Sequence, residues 1–259
     1  MALSTIVLNV ENHIAYLTIQ SPPANALSSQ IIKDLNELLD QIEENPTVKA
    51  IVLHGEGRFF SAGADIKEFT SLQAHSDYEK LAKNGQRVFQ RLEDFKIPVI
   101  AAIHGAALGG GLELAMACHM RVVAENAKIG LPELNLGIIP GFAGTQRLPR
   151  YVGPAKAYEM ILTGEPISGE EAVAFGLANQ AVHEEKVLEA ATQLAVKVAA
   201  KSRPTINQVM DLVNYSRSDK FLKGVEAEAQ AFGKVFGTED AKEGVQAFIE
   251  KRKPKFIDK

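Results

Sequence analysis

Two glutamates stand in surroundings that give a charge no obvious partner. Glu113 lies in Gly109-Gly110-Gly111-Leu112-Glu113-Leu114-Ala115-Met116-Ala117, a helix-like segment with no polar face. The residues three and four positions away are Gly109, Gly110, Met116 and Ala117, none of which can pair with a carboxylate along a helix. A carboxyl buried without a counter-charge tends to keep its proton and titrate high. It is either a structural carboxylate bonded to a distant arginine or a tuned acid or base, and the apolar neighbourhood favours the second. Glu133, in Leu131-Pro132-Glu133-Leu134-Asn135-Leu136-Gly137, is flanked by leucines in the same way. The two are too far apart in the chain to share a helix face, so only the fold can bring them together. If they met at one water, one could take its proton and the other give a proton to carbon.

The glycines at 109–111 open the helix that carries Glu113. Glycine lets a ligand approach the backbone, and the free N–H groups of a helix start favour negative charge. Tight helix packing and an oxyanion site are both compatible with the run. The spacing is no phosphate fingerprint, because Gly-x-Gly-x-x-Gly and Gly-Lys-Ser/Thr are absent. Phe59-Phe60-Ser61-Ala62-Gly63 approaches a nucleophile elbow but lacks its first glycine. Its small residues are suited to offering a second backbone N–H to a carbonyl oxygen. The six histidines have no metal-ligand spacing, and His104 and His119 read as structural. Cys118 reads as core. The basic run Lys251-Arg252-Lys253-Pro254-Lys255 is a solvated end or a phosphate contact.

The elements that must position these residues alternate at first between strand and helix. Thr5–Val10 and Ile14–Ile19 are β-branched runs that read as a hairpin. Ser28 caps a helix with apolar residues at Ile31, Ile32, Leu35, Leu38, Leu39 and Ile42, and Asn45-Pro46 stops it. Strands are expected at Val48–Leu53, Val99–Ile103, Arg121–Val123 and, weakly, Lys128–Leu131, with a helix across Ser76–Phe95. From about Pro154 only helical periodicity is visible. Ser168-Gly169-Glu170-Glu171 reads as a capping box. Further helices are expected over Glu184–Lys201, Thr205–Tyr215, Asp219–Phe236 and Thr238–Arg252. The fold class is therefore α/β with an α-helical C-terminal region.

Composition narrows the partners. The chain has 259 residues, 46% hydrophobic and 23% charged, the proportions of a globular protein. With 28 basic and 32 acidic side chains the formal charge is −4, against the basic lean of a nucleic-acid binder. One cysteine permits neither an internal disulfide nor a four-thiolate zinc site. The longest uncharged central stretch, Ile97–Leu112, is short of a membrane span and rich in glycine. No targeting segment is evident at the start, and a cytoplasmic location is expected.

Taken together, Pro23–Leu27, Ser61–Phe69, Ile103–Ala117, Leu131–Leu148 and Glu243–Lys253 resemble the crotonase superfamily, and within it the enoyl-CoA hydratases. The resemblance spans essentially the whole chain. It implies a spiral of ββα units over residues 1–195 and an α-helical region over 196–259 that shapes the acyl pocket and joins trimers, paired into a hexamer. It maps the catalytic carboxylates to Glu113 and Glu133 and the oxyanion-hole amides to Ala64 and Gly110. Ala62, Asp65, Ile66 and Lys67 fall along the segment that binds substrate and coenzyme A. Gly141 falls where the reacting water is held, Lys251 beside the adenosine phosphates, and Phe232 in the acyl tunnel. Ala143 stands where many members carry glycine, which is expected to narrow that turn.

The implied substrate is an acyl-CoA thioester, with no metal and no cofactor other than the coenzyme A of the substrate. The implied reaction adds water to a trans-2-enoyl-CoA in fatty-acid β-oxidation. Enoyl-CoA isomerases of the superfamily generally keep one acidic residue in the site, so two glutamates favour hydration. A non-catalytic RNA-binding role, known among relatives, is disfavoured by the net charge. No nucleic-acid or membrane partner is expected.

Overall fold

A computed structural model describes residues 5–66, 68, 75–217 and 238–259. The chain opens with the expected hairpin, β1 (Ile6–Glu11) and β2 (Ile14–Ile19), paired antiparallel. Its two-residue turn, Asn12-His13, has both φ angles positive (50° and 67°), the sense whose twist matches the flanking strands. β3 (Ala50–Gly55), β4 (Val99–Ile103), β6 (Met120–Ala124) and β8 (Gln180–Val182) extend the sheet in parallel, in the order β1-β2-β3-β4-β6-β8. The central strands are buried on both faces, which is why β4 reads Val-Ile-Ala-Ala-Ile without alternation.

β2, β3, β4 and β6 are each followed by a rung of a second, smaller ladder. Leu27 bridges Ala64, Ser61 bridges Ala107, β5 (Ala106–Leu108) pairs with β7 (Lys128–Gly130), and Ile129 bridges Ile167. Strand, rung and helix therefore repeat as the chain winds upward, which is the ββα spiral the resemblance implies. The helices between them are α1 (Ser29–Glu44), α2 (His75–Glu93) and α3 (Gly110–Ala117). Ser28 caps α1 by accepting from the Ile31 N–H, and all six of its expected apolar residues are buried. Arg121 on β6 is buried and donates to the carbonyls of Ala115 and Cys118 (3.0 and 2.7 Å) and of Leu177 (2.6 Å). A cation thereby closes the carbonyl end of α3, where the helix dipole favours it.

The second half departs from the helix-only expectation. β8 is a three-residue strand, too short to show a period, and it exists because β6 offers a neighbouring edge. β5 was likewise invisible as Ala-Ala-Leu. Helix α4 (Gly144–Thr163) starts ten residues before the helical signal, hidden by Pro149, Pro154 and the break at Gly153 (φ 75°). The capping box opens α5 (Gly169–Ala174), with Ser168 and Glu171 bonded reciprocally. The helix expected from Glu184 begins as a 3-10 turn, and α6 (Val187–Ala199) buries Val187, Ala191 and Ala195. The division expected at 195/196 falls inside this helix. α7 (Arg203–Val213) and α8 (Glu239–Ile249) follow. The helix expected over Asp219–Phe236 lies outside the described residues. Among the described residues, no helix is long and apolar enough to cross a membrane.

Candidate active site

The spiral brings the separated motifs to one place. Ser61 is fully buried, and its hydroxyl donates to the Asn25 carbonyl (2.8 Å) while accepting from the Gly63 N–H (3.3 Å). Ser61 is therefore a pin for the loop and not an exposed nucleophile. Asn25, also buried, donates to the carbonyls of Glu56 and Phe59 and accepts from the Ser21 N–H. These bonds fix the turn that presents Ala62, Gly63 and Ala64.

The three glycines divide the two roles that the sequence left open. A Cβ on Gly111 would sit 2.5 Å from the Ser61 carbonyl oxygen, so this glycine permits close helix–loop packing. A Cβ on Gly110 would lie 3.2 Å from the Ala64 nitrogen, so the backbones carrying the Ala64 and Gly110 amides abut. Neither N–H has a hydrogen-bond acceptor among the described residues. Gly109, before the helix, takes φ 51° and ψ −127°, and no side chain caps the first turn of α3. A small cavity of mixed character opens beside Ala64, walled by Leu27, Ile32, Leu81 and Phe142 and by the polar Ser29, Asp65 and Glu68.

Glu113 points from α3 into the interior and is 1% exposed. Its Oε1 accepts two backbone N–H bonds, from Phe142 (2.8 Å) and Gly144 (2.7 Å). The distant arginine of the structural alternative is not its partner. Burial pushes its pKa up to about 7; the Gly144 and Phe142 amides oppose the rise and the nearby charge of Glu133 adds to it. Glu133 opens a 3-10 turn (Glu133–Leu136) and is 9% exposed. Its pKa is also raised, chiefly by burial. Its Oε2 is buried with no hydrogen-bond partner among the described residues. A Cβ on Gly109 would come within 3.1 Å of Glu133 Oε1, and one on Gly144 within 2.9 Å of Glu113 Oε1. Only glycine at these positions leaves both carboxylates unobstructed.

The remaining candidates are dispersed. Ala62 and Ile66 are exposed, and Asp65 is half-buried with its N–H on the Leu27 carbonyl. The Gly141 carbonyl accepts from the Gln86 side chain (2.9 Å), which ties that turn to α2. Lys251 is exposed just after α8, with φ 55°, and no hydrogen bond joins it to the 61–66 segment among the described residues. Lys67 and Phe232 lie outside the described residues. His119 is structural as expected: its Nδ1 accepts from the Val99 N–H (2.9 Å). Cys118 is core.

Sequence reasoning missed Phe142, Gly144, Glu93 and Arg147. The first two act through main-chain N–H groups, which leave no trace in residue type. Glu93 and Arg147 form a buried ion pair (2.7 Å), and Arg147, between Gln146 and Leu148 in a mixed polar stretch, carries no signal of its burial.

The arrangement can hold a small nucleophile between two acids and can stabilise an oxyanion at two amides. The family model described as enoyl-CoA hydratase/isomerase matches residues 9–259. A probable enoyl-CoA hydratase of Bacillus subtilis is 58% identical over 98% of this chain and 99% of its own length. A crotonyl-CoA hydratase of Syntrophomonas wolfei is 40% identical over the full length of both. The crystal structure of an enoyl-CoA hydratase from Bacillus anthracis superposes with a TM-score of 0.94 at 35% identity, covering 99% of this chain and 100% of that one. By its sequence, its winding and its neighbours alike, this chain belongs to the enoyl-CoA hydratase/isomerase family.

Proposed function

We propose that this protein is a hydro-lyase that adds water across the C2=C3 bond of trans-2-enoyl-CoA thioesters to give 3-hydroxyacyl-CoA. The observation that carries the reading is the pair of buried carboxylates, Glu113 and Glu133, beside the unpaired amides of Ala64 and Gly110. The thioester oxygen accepts from both amides, which stabilise the enolate as charge leaves C3. Donors of this kind are each worth ~10²–10³-fold in rate. Glu113 takes a proton from water as the oxygen bonds to C3, and Glu133 gives its proton to C2. The proton gained by Glu113 returns to Glu133 through solvent after product release, which closes the cycle, and no cofactor beyond the coenzyme A of the substrate enters.

The unequal bonding of the two acids supports this division. Glu113 has Oε1 saturated by two N–H donors, leaving Oε2 to face water, while Glu133 keeps a buried oxygen unpartnered. Gly141 lies beside the turn that would hold the water. We assign Ala62, Asp65, Ile66 and Lys67 to substrate contacts, Lys251 to the adenosine phosphates, and Phe232 and residues 196–259 to the acyl pocket and subunit contacts. Exposed Leu136, Ile139, Tyr158 and Leu162 support an assembled form, proposed as a dimer of trimers. Cytoplasmic β-oxidation of fatty acids is the proposed setting.

Loss of the conjugated-enoyl absorbance on a panel of chain lengths tests the activity, with hydration of crotonyl-CoA expected. Migration of a double bond without hydration would instead establish the isomerase reading. Lys251→Ala is expected to raise KM for the CoA ester but not for a truncated pantetheine ester, and equal changes would remove Lys251 from the binding site.

A further inference from the structure

Behind Glu113 lies a second set of charges that the proposed reaction does not itself use. Arg147, on the first turn of α4, and Glu93, at the end of α2, are 3% and 6% exposed at their side chains and meet at 2.7 Å, Nε to Oε2. The same guanidinium donates from Nη1 to the Phe142 carbonyl (2.9 Å). Phe142 in turn gives its N–H to Glu113, one residue pair before Gly144 gives the second. Its ring packs edge-on against Phe89 of α2, with centroids 5.3 Å apart. The 142–144 turn is therefore gripped on its carbonyl side by Arg147 and on its amide side by Glu113.

We propose that Arg147 is the positioning residue for Glu113: held by Glu93, it fixes the turn whose two amides orient that carboxylate to take the proton from water. The proposal rests on the base role given to Glu113 above. Retaining a buried ion pair for packing alone is a weak explanation, since apolar replacements of similar volume often serve as well. Here the arginine has a second partner, the Phe142 carbonyl, and that partner leads to the reacting group.

Charges reach Glu113 from three of the elements around it. The 3-10 turn brings Glu133, which raises its pKa; α4 brings Arg147, which lowers it; α2 brings Glu93, which is neutralised by Arg147 and approached by the half-exposed Arg150 at 3.8 Å. β5, Ala-Ala-Leu, brings none. Removing Arg147 would take away a favourable charge and loosen two favourable hydrogen bonds, so both effects push Glu113 toward its protonated, inactive form.

The test uses the full chain and two readouts. Arg147→Met alone strands Glu93, so the double variant Glu93→Gln/Arg147→Met removes both charges together. The acid limb of the kcat/KM profile for crotonyl-CoA is expected to move up by about one pH unit. The deficit of about 5-fold at pH 7 should then shrink as the pH is raised toward 9. Carbon-13 carboxyl titration of the glutamates without substrate, with Glu113 assigned by its loss in Glu113→Gln, should show the same shift. This second readout decides the matter even if the protein hydrates no enoyl thioester. Arg147→Lys keeps the charge but cannot span both acceptors, and should shift both readouts in the same direction by less. A variant that melts earlier with an unmoved acid limb and an unmoved Glu113 titration would make the pair a structural prop. Should the double variant fail to fold, Arg147→Lys decides by the same criterion.

Discussion

Glu113 and Glu133 look alike in the sequence, each a lone acid in an apolar, leucine-containing segment, yet the fold treats them differently. Glu113 sits on a buried helix with one oxygen saturated by two amides. Glu133 opens a short 3-10 turn, is less buried, and keeps one oxygen without a partner. Burial raises both pKa values; the Gly144 and Phe142 amides oppose the rise at Glu113, and the residue's own backbone N–H opposes it at Glu133. A base must be able to ionise, whereas an acid must hold its proton until carbon takes it. Residue type supplied two carboxyls; main-chain geometry supplied the difference between them.

The largest effect should come from removing either carboxylate. Glu113→Gln and Glu133→Gln are each expected to lower kcat by ~10²-fold or more with thioester binding largely intact, measured by steady-state hydration and by equilibrium binding. Near wild-type turnover in either variant would break the pairing.

The pH profile sharpens the contrast. Because Glu113 acts ionised and titrates at about 7, kcat/KM should rise with pH through that region, and fall again once Glu133 loses the proton it must donate. An acid limb at the ordinary carboxylate value would show that Glu113 is not the group being titrated.

The same shift carries a stability consequence whose sign is fixed. Between the ordinary 4.5 and about 7, the native state holds a proton on Glu113 that the unfolded chain has lost. Stability therefore falls as pH rises through that window and is constant above it. The difference between wild type and Glu113→Gln should change by about 3 kcal/mol across it, in favour of the variant, measured by denaturant melts. Glu133→Gln should show the same sign. A flat difference for Glu113→Gln would mean that the carboxyl ionises as freely folded as unfolded.

The smallest expected effect concerns the turn that tells the two acids apart. Ala143 adopts φ 73°, a conformation that costs a side-chain-bearing residue about 1 kcal/mol. Ala143→Gly should stabilise the fold by less than that, because glycine also loosens the unfolded chain. Little change in turnover is expected while Phe142 and Gly144 keep their bonds to Glu113.

Much of this was legible in the residues. The β1–β2 hairpin, the Ser28 cap, the 168–171 capping box and the buried central strands follow from local pattern and fall where expected. The helical second half was over-read, because β8 is a strand only by virtue of β6, and α4 hides behind two prolines and a glycine break. In the site, the acids and the glycines announced themselves by their incongruous surroundings. The amides of Phe142 and Gly144 did not, since every residue but proline carries one, and only tertiary placement makes these two matter. Ser61 makes the converse point: the missing first glycine argued against a nucleophile, and the hydroxyl is a buried pin.

The most direct test asks whether the two acids serve one water together. Hydration of crotonyl-CoA is compared in wild type, Glu113→Gln, Glu133→Gln and the double variant. Groups acting as one unit should not lose rate independently, so the double variant is expected to be about as slow as the slower single. Losses that multiply, to ~10⁴-fold or beyond in the double variant, would contradict a shared water and separate the two carboxylates into unrelated roles.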